Sequence, residues 1–156
     1  MKPKAFLFAL VLCFFTAAGC FAQGVHMGTW KLNEAKSKIA AGAAKNHTVV
    51  YEAAGDQIKV TVDGTAADGS ATHNEWTGKF DGKYYPVTGE ANADERSYRM
   101  IGARTLTLTQ KKGGKVTMTG RIIITRNGKS RTVTTNGTDA NGKRFSTTGV
   151  YDKQSM

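Results

Sequence analysis

From Thr48 onward the chain alternates apolar and polar residues with a period of two. In "QIKVTVD", Ile58, Val60 and Val62 alternate with Lys59 and Thr61. In "RTLTLTQ", Leu106 and Leu108 alternate with threonines, and "KVTMTGRIIIT" sets Val116, Met118, Ile122 and Ile124 against Thr117, Thr119 and Arg121. Successive side chains on a strand point to opposite faces, so this pattern builds a sheet with one dry and one wet face. The wealth of threonine agrees, because β-branched residues fit a pleated, half-buried surface.

The alternating runs are punctuated by turn dipeptides. Asp81-Gly82, Gly113-Gly114, Asn127-Gly128 and Asn141-Gly142 supply the positive φ angles that tight hairpins require. Consecutive strands should therefore be antiparallel neighbours. The pattern predicts strands near 28–33, 47–54, 57–63, 71–80, 83–88, 95–101, 104–111, 115–126, 129–138 and 143–152. A long meander curls, and closure removes its unpaired edges. The expected fold is all-β, an antiparallel up-and-down barrel of about eight to ten strands, with a two-sheet sandwich as the alternative. One segment breaks the pattern. "NEAKSKIAAGAAKN" at 33–46 reads as a short helix or wrapped loop between the first two strands, with Asn33 as N-cap, lying over one barrel mouth. A faint echo between "DGTAADGS" at 63–70 and "NGTDANGK" at 136–143 reads as reused turn chemistry.

Residues 1–22 have a different character. Lys2 and Lys4 precede an apolar run from Ala5 to Phe15, and small residues follow. That order is expected of a secretory signal peptide, removed after Ala22, which leaves 23–156 as one domain. The run is shorter than the ~20 apolar residues that span a bilayer, and no later segment is apolar enough. A periplasmic or secreted protein is the expectation. The alternative is a lipoprotein anchored through Cys20, since "TAAGC" resembles a bacterial lipobox with Ala17 in place of the usual leucine. Cys13 and Cys20 are the sole cysteines, so the domain has no thiol for a disulfide, a nucleophile or a metal. With 22 basic and 12 acidic side chains, loss of Lys2 and Lys4 leaves 20 against 12, a net charge of +8. A basic balance favours acidic partners, such as an anionic envelope surface.

The stretch "GVHMGTWKLNEAKSK" carries a family resemblance. Gly28-Thr29-Trp30 opens the first strand, and a short helical stretch follows; this resembles the Gly-x-Trp signature of lipocalins and the wider calycin barrels. The closing "FSTTGVYDKQ" is similar to the last strand of the fatty-acid-binding branch. The second lipocalin motif, Thr-Asp-Tyr, is absent, and nothing matches the Arg/Tyr carboxylate clamp of fatty-acid-binding proteins. The resemblance implies that Trp30 plugs the closed end of the barrel with a late arginine stacked on it. Arg131 and Arg144 both qualify, and Arg144 is the preferred partner. It further implies a small apolar or amphipathic ligand inside.

Strand phase offers the inward residues. Val49, Tyr51, Ile58, Val60, Val62, Trp76, Phe80, Tyr98, Leu106, Leu108, Val116, Met118, Ile122, Phe145 and Tyr151 are the expected interior, and Trp76, Phe80, Tyr98, Leu108 and Met118 the expected ligand-binding set.

Catalytic patterns are scarce. His26, His47 and His73 show neither HxH nor HExxH spacing, so no catalytic metal site is expected. His73 and Glu75 share a strand face and read as an exposed polar pair. There is no G-x-S-x-G elbow and no phosphate-binding or dinucleotide loop, because the glycines sit in hairpins. Glu75, Asp81, Glu90, Asp94 and Glu95 leave paired-carboxylate chemistry open, although "GEANADERSY" reads as a solvated loop. Inward aromatics argue against nucleic acid, which is bound by exposed stacking rings. The sequence thus points to a non-enzymatic exported binding protein with no cofactor and a small hydrophobic partner. Its alternative is a filled barrel whose basic surface meets anionic envelope polymers, a membrane surface or a protein partner.

Overall fold

A computed structural model describes residues 23–155. The expected signal peptide, its expected cleavage site and Cys20 lie outside these residues. Ten strands form one closed antiparallel barrel: β1 (Gly28–Leu32), β2 (Lys45–Ala54), β3 (Gln57–Thr65), β4 (Ala71–Gly78), β5 (Tyr85–Thr88), β6 (Glu95–Gly102), β7 (Thr105–Lys112), β8 (Lys115–Ile124), β9 (Ser130–Thr138) and β10 (Arg144–Lys153). Every strand pairs with its successor, and β10 closes onto β1 through Trp30↔Lys153 and Leu32↔Tyr151. The barrel, not the sandwich, is the solution, and it leaves no strand edge unpaired.

Turn chemistry and alternation account for this layout. Gly113 and Gly114 both take positive φ, 55° and 78°, which a two-residue hairpin needs between β7 and β8. On β3, Ile58, Val60 and Val62 are buried while Lys59 and Thr61 face outward. Leu106, Leu108 and Gln110 do the same on β7. The thinnest wall is β5, which shares two register pairs with β4 and two with β6.

Alternation fails at one predicted interior residue. Val116 is 56% exposed, although it is two residues from inward Met118. A bulge explains this: Gln110 pairs with Met118, but Lys111 pairs with Val116, so β8 carries one extra residue there. Such an insertion reverses the facing of everything beyond it. Phe80 keeps the inward phase of Asn74, Trp76 and Gly78. It lies past the end of β4 yet is buried, its carbonyl accepting from Met100 N at 3.2 Å.

The segment between β1 and β2 is not a helix of any length. A single 3-10 turn, Glu34–Lys36, is capped by the Asn33 side chain, which accepts from Lys36 N at 3.3 Å. The following residues, Ile39–Asn46, wrap over the barrel mouth and contribute to the wall of the interior cavity.

Candidate functional site

The two ends of the barrel differ. At the closed end, residues 23–27 form a turn, with His26 N and Met27 N bonded to the carbonyls of Gln23 and Gly24. Gly28 then adopts φ 103°, a backbone that side-chain-bearing residues rarely take, and redirects the chain into β1. This places Trp30 inward and fully buried, its Nε1 donating to the His26 carbonyl at 2.9 Å. The spacing of glycine and tryptophan therefore has a local cause: the turn supplies the acceptor, and Gly28 makes the corner.

Arg131, not Arg144, covers Trp30. Its guanidinium carbon lies 4.7 Å from the Trp30 ring, 4.9 Å from Tyr51 and 5.2 Å from Tyr151. Three aromatic faces offset part of the cost of burying this cation. Arg144 is exposed at the opposite mouth, because β10 starts there. Arg131 is at the start of β9, whose beginning belongs to the closed end, and strand direction alone separates the two. Lys153 adds a second cation 5.1 Å from the Trp30 ring and donates to the Val25 carbonyl. Burial first, then Arg131 and Lys153, push the His26 imidazole down to about 4. His26 is fully buried, and neither ring nitrogen has a hydrogen-bond partner among the described residues.

Above this plug lies an aromatic floor. Trp76 stacks with Phe80 at 6.5 Å and meets Tyr98 edge-on at 4.8 Å; Tyr51 contacts Phe80 and Tyr98 at 6.3 and 6.4 Å. Trp76 is tied down by its Nε1, which donates to the Arg96 carbonyl at 2.8 Å.

Over the floor the barrel is not filled. A cavity of about 580 Å³ runs toward the open mouth. Of the residues expected to bind a ligand, Tyr98, Leu108 and Met118 line it, whereas Trp76 and Phe80 do not: they pack beneath it. Val49, Val62, Ile122 and Val133 extend the apolar wall. A shallower depression of about 630 Å³ lies at the same mouth between β8, β9 and β10, sharing Met118, Arg144, Phe145 and Ser146 with the interior cavity.

Polar residues that the sequence reading passed over also face this space. Arg96 on β6 is 3% exposed and lines the cavity with Gln110. Its Nη2 donates to Asn74 Oδ1 at 3.1 Å and lies 3.7 Å from Glu90 Oε2. With the Gln110 amide turned to satisfy its neighbours, its oxygen accepts from Arg96 Nη2 and Nε at 2.8 and 2.9 Å. Asn74 Nδ2 in turn donates to Glu90 Oε2 at 3.3 Å. The one available signal was phase: Arg96 and Gln110 occupy inward positions beside Tyr98 and Leu108. Tyr98 and Tyr151 stay protonated at neutral pH. Burial, then Tyr51, hold Tyr98 far above the usual phenol range, and burial pushes Tyr151 up to about 12.

His73 and Glu75 are on the outer face of β4, as expected. His73 Nδ1 meets Asp63 Oδ1 at 2.6 Å, and Glu75 pairs with Lys59 at 2.9 Å. No cluster of three metal-ligating side chains occurs among the described residues, and no described helix is long and apolar enough to cross a membrane.

The chain matches no family model and no curated protein. Among solved structures it is similar to EF1p2_mFAP2b bound to DFHBI, at 12% identity over 86% of this chain and 98% of that one, with a TM-score of 0.49. It is also similar to a redesigned β-barrel, mFAP1, bound to DFHBI, at 17% identity over 85% and 98% of the two chains, with a TM-score of 0.45. Superpositions this loose leave the reading of the chain to its own residues.

Proposed function

We propose that this chain is an exported, calycin-type binding protein that takes a small, largely apolar molecule into its barrel. The cavity of about 580 Å³ carries the reading. Its size falls within the ~300–1,000 Å³ typical of small-molecule pockets, and its wall is mainly apolar, with charged groups toward the mouth and buried Arg96, Arg131 and Gln110 among the polar ones. Binding, rather than catalysis, suits that wall. Among its buried polar side chains, Arg96, Arg131, Gln110, Tyr98 and Tyr151 offer neither a nucleophile nor a base at neutral pH. Export is supported by the basic, apolar, small-residue order of residues 1–22.

The test uses the full chain expressed in a bacterium and recovered from the periplasm. Native mass spectrometry reads both the processed N-terminus and any retained small molecule. Phenylnaphthylamine, a neutral dye that fluoresces in apolar surroundings, then probes the emptied barrel. Met118→Trp fills the cavity from a half-buried wall position and should weaken dye binding at least tenfold while the protein stays folded. Unchanged binding in Met118→Trp, or no dye uptake by the parent, would count against a carrier.

A further inference from the structure

The cavity is more cationic than an apolar ligand requires. Lys45, Arg96, Arg131, Lys143 and Arg144 line it against Glu90 and Asp139, five positive charges against two negative, a balance of +3. Most of these are at the mouth, where water screens them. Arg96 and Arg131 are different, being 3% and 1% exposed.

The two buried arginines are held in different ways. Arg131, whose Nε and Nη1 also lack hydrogen-bond partners among the described residues, is enclosed by the faces of Trp30, Tyr51 and Tyr151, and it serves the plug. Arg96 is held by neutral amides. Gln110 takes its Nε and Nη2 together, and Asn74 takes Nη2 as well. These bonds orient the guanidinium without cancelling its charge. Its remaining nitrogen, Nη1, is buried and has no partner among the described residues. A buried N–H left unpaired is costly, and so is a buried charge without a counter-ion. Glu90 supplies a part of that charge, at 3.7 Å and with 28% of its side chain exposed. A preoriented cation with a free donor, on the wall of a cavity, is the arrangement that binds an oxyanion.

We infer that the barrel selects an anion, and that Arg96 Nη1 receives its oxyanion head while the Leu108, Met118 and Val133 wall takes the apolar remainder. The inference rests on the carrier reading above. It assigns Glu90 a second role, that of a competing carboxylate beside the anion site.

The experiment compares two dyes with the same ring system. Anilinonaphthalene sulfonate carries an anionic head; phenylnaphthylamine does not. Both are titrated into the mature protein and into Arg96→Met and Glu90→Gln. Arg96→Met should weaken the sulfonate by roughly ten- to a hundredfold, the range for a lost charge-assisted hydrogen bond, and leave the neutral dye within about twofold. Glu90→Gln should tighten the sulfonate by roughly three- to tenfold, since it removes a like charge near the head. Equal losses of both dyes in Arg96→Met, or a sulfonate affinity indifferent to both substitutions, would overturn the inference. If Arg96→Met fails to fold, Glu90→Gln decides alone: tighter sulfonate binding supports the anion site, and an unchanged affinity refutes it. A parent protein that binds the neutral dye but not the sulfonate overturns the anion site and leaves the carrier standing. One that binds neither overturns both.

Discussion

Lowering the pH from about 7.5 to about 5 should destabilise this barrel through one residue, His26. In the folded protein its imidazole is held at about 4, against an ordinary 6.5. The unfolded chain takes up a proton at His26 as the pH falls through about 6.5, and the folded chain refuses it until about 4. The stability attached to the neutral ring is therefore complete above about 6.5 and is lost progressively as the pH falls toward 4. The whole gap corresponds to about 3 kcal/mol, of which about 2 kcal/mol is gone by about pH 5. With a urea dependence of roughly 1–3 kcal/mol per molar, the unfolding midpoint should drop by about 1 M. His26→Phe isolates the effect. It keeps an aromatic ring against Phe80, now 5.8 Å from the imidazole, and it spares the backbone carbonyl that receives Trp30 Nε1. Other groups also titrate. His73, whose proton affinity is raised by Asp63, acts in the opposite sense, but it is common to both proteins. The difference in midpoint between parent and variant should therefore change by about 1 M across this pH range. If parent and variant lose the same stability, His26 is titrating as a solvated histidine and the account of the closed end is wrong.

Two stability predictions test the packing. A Cβ at Gly78 would lie 2.6 Å from both Trp76 Cζ2 and Tyr85 Cγ, so Gly78→Ala should cost about 2 kcal/mol or more and lower the melting temperature by roughly 5–10 °C; a cost under about 0.5 kcal/mol would mean these rings are free to move. Because the β8 bulge turns Val116 outward, Val116→Thr should change stability by less than about 0.5 kcal/mol, whereas Val60→Thr, at a fully buried position, should cost about 1–3 kcal/mol; equal costs in urea unfolding would contradict the bulge.

Most of the fold was legible because its causes are local. Period-two alternation places each strand's faces, and Asp-Gly, Gly-Gly and Asn-Gly turns pin the hairpins, so ten strands fall within a few residues of their expected limits. Asn33 as a cap was legible for the same reason, since it is decided within a few residues of chain, whereas Trp30 as a plug was only what the family resemblance implied.

The site was legible only in part. Tyr98, Leu108 and Met118 reach the cavity, but Trp76 and Phe80 pack beneath it, because height along the barrel axis depends on the stagger of all ten strands. Val116 was misplaced by a bulge that a binary pattern does not reveal.

The amino-acid sequence by itself determined the strands, their antiparallel pairing and, outside the β8 bulge, which face of each is dry, since these follow from short-range sterics and burial. Tertiary structure alone decided that Arg131 rather than Arg144 meets Trp30, and that Arg96, Asn74, Gln110 and Glu90 converge on one wall. These residues come from β4, β6, β7 and the β5–β6 loop, and their distances exist only once the sheet has closed. Closure is collective: it sets which residues share a level, and with that where the barrel leaves a cavity and a buried charge facing it.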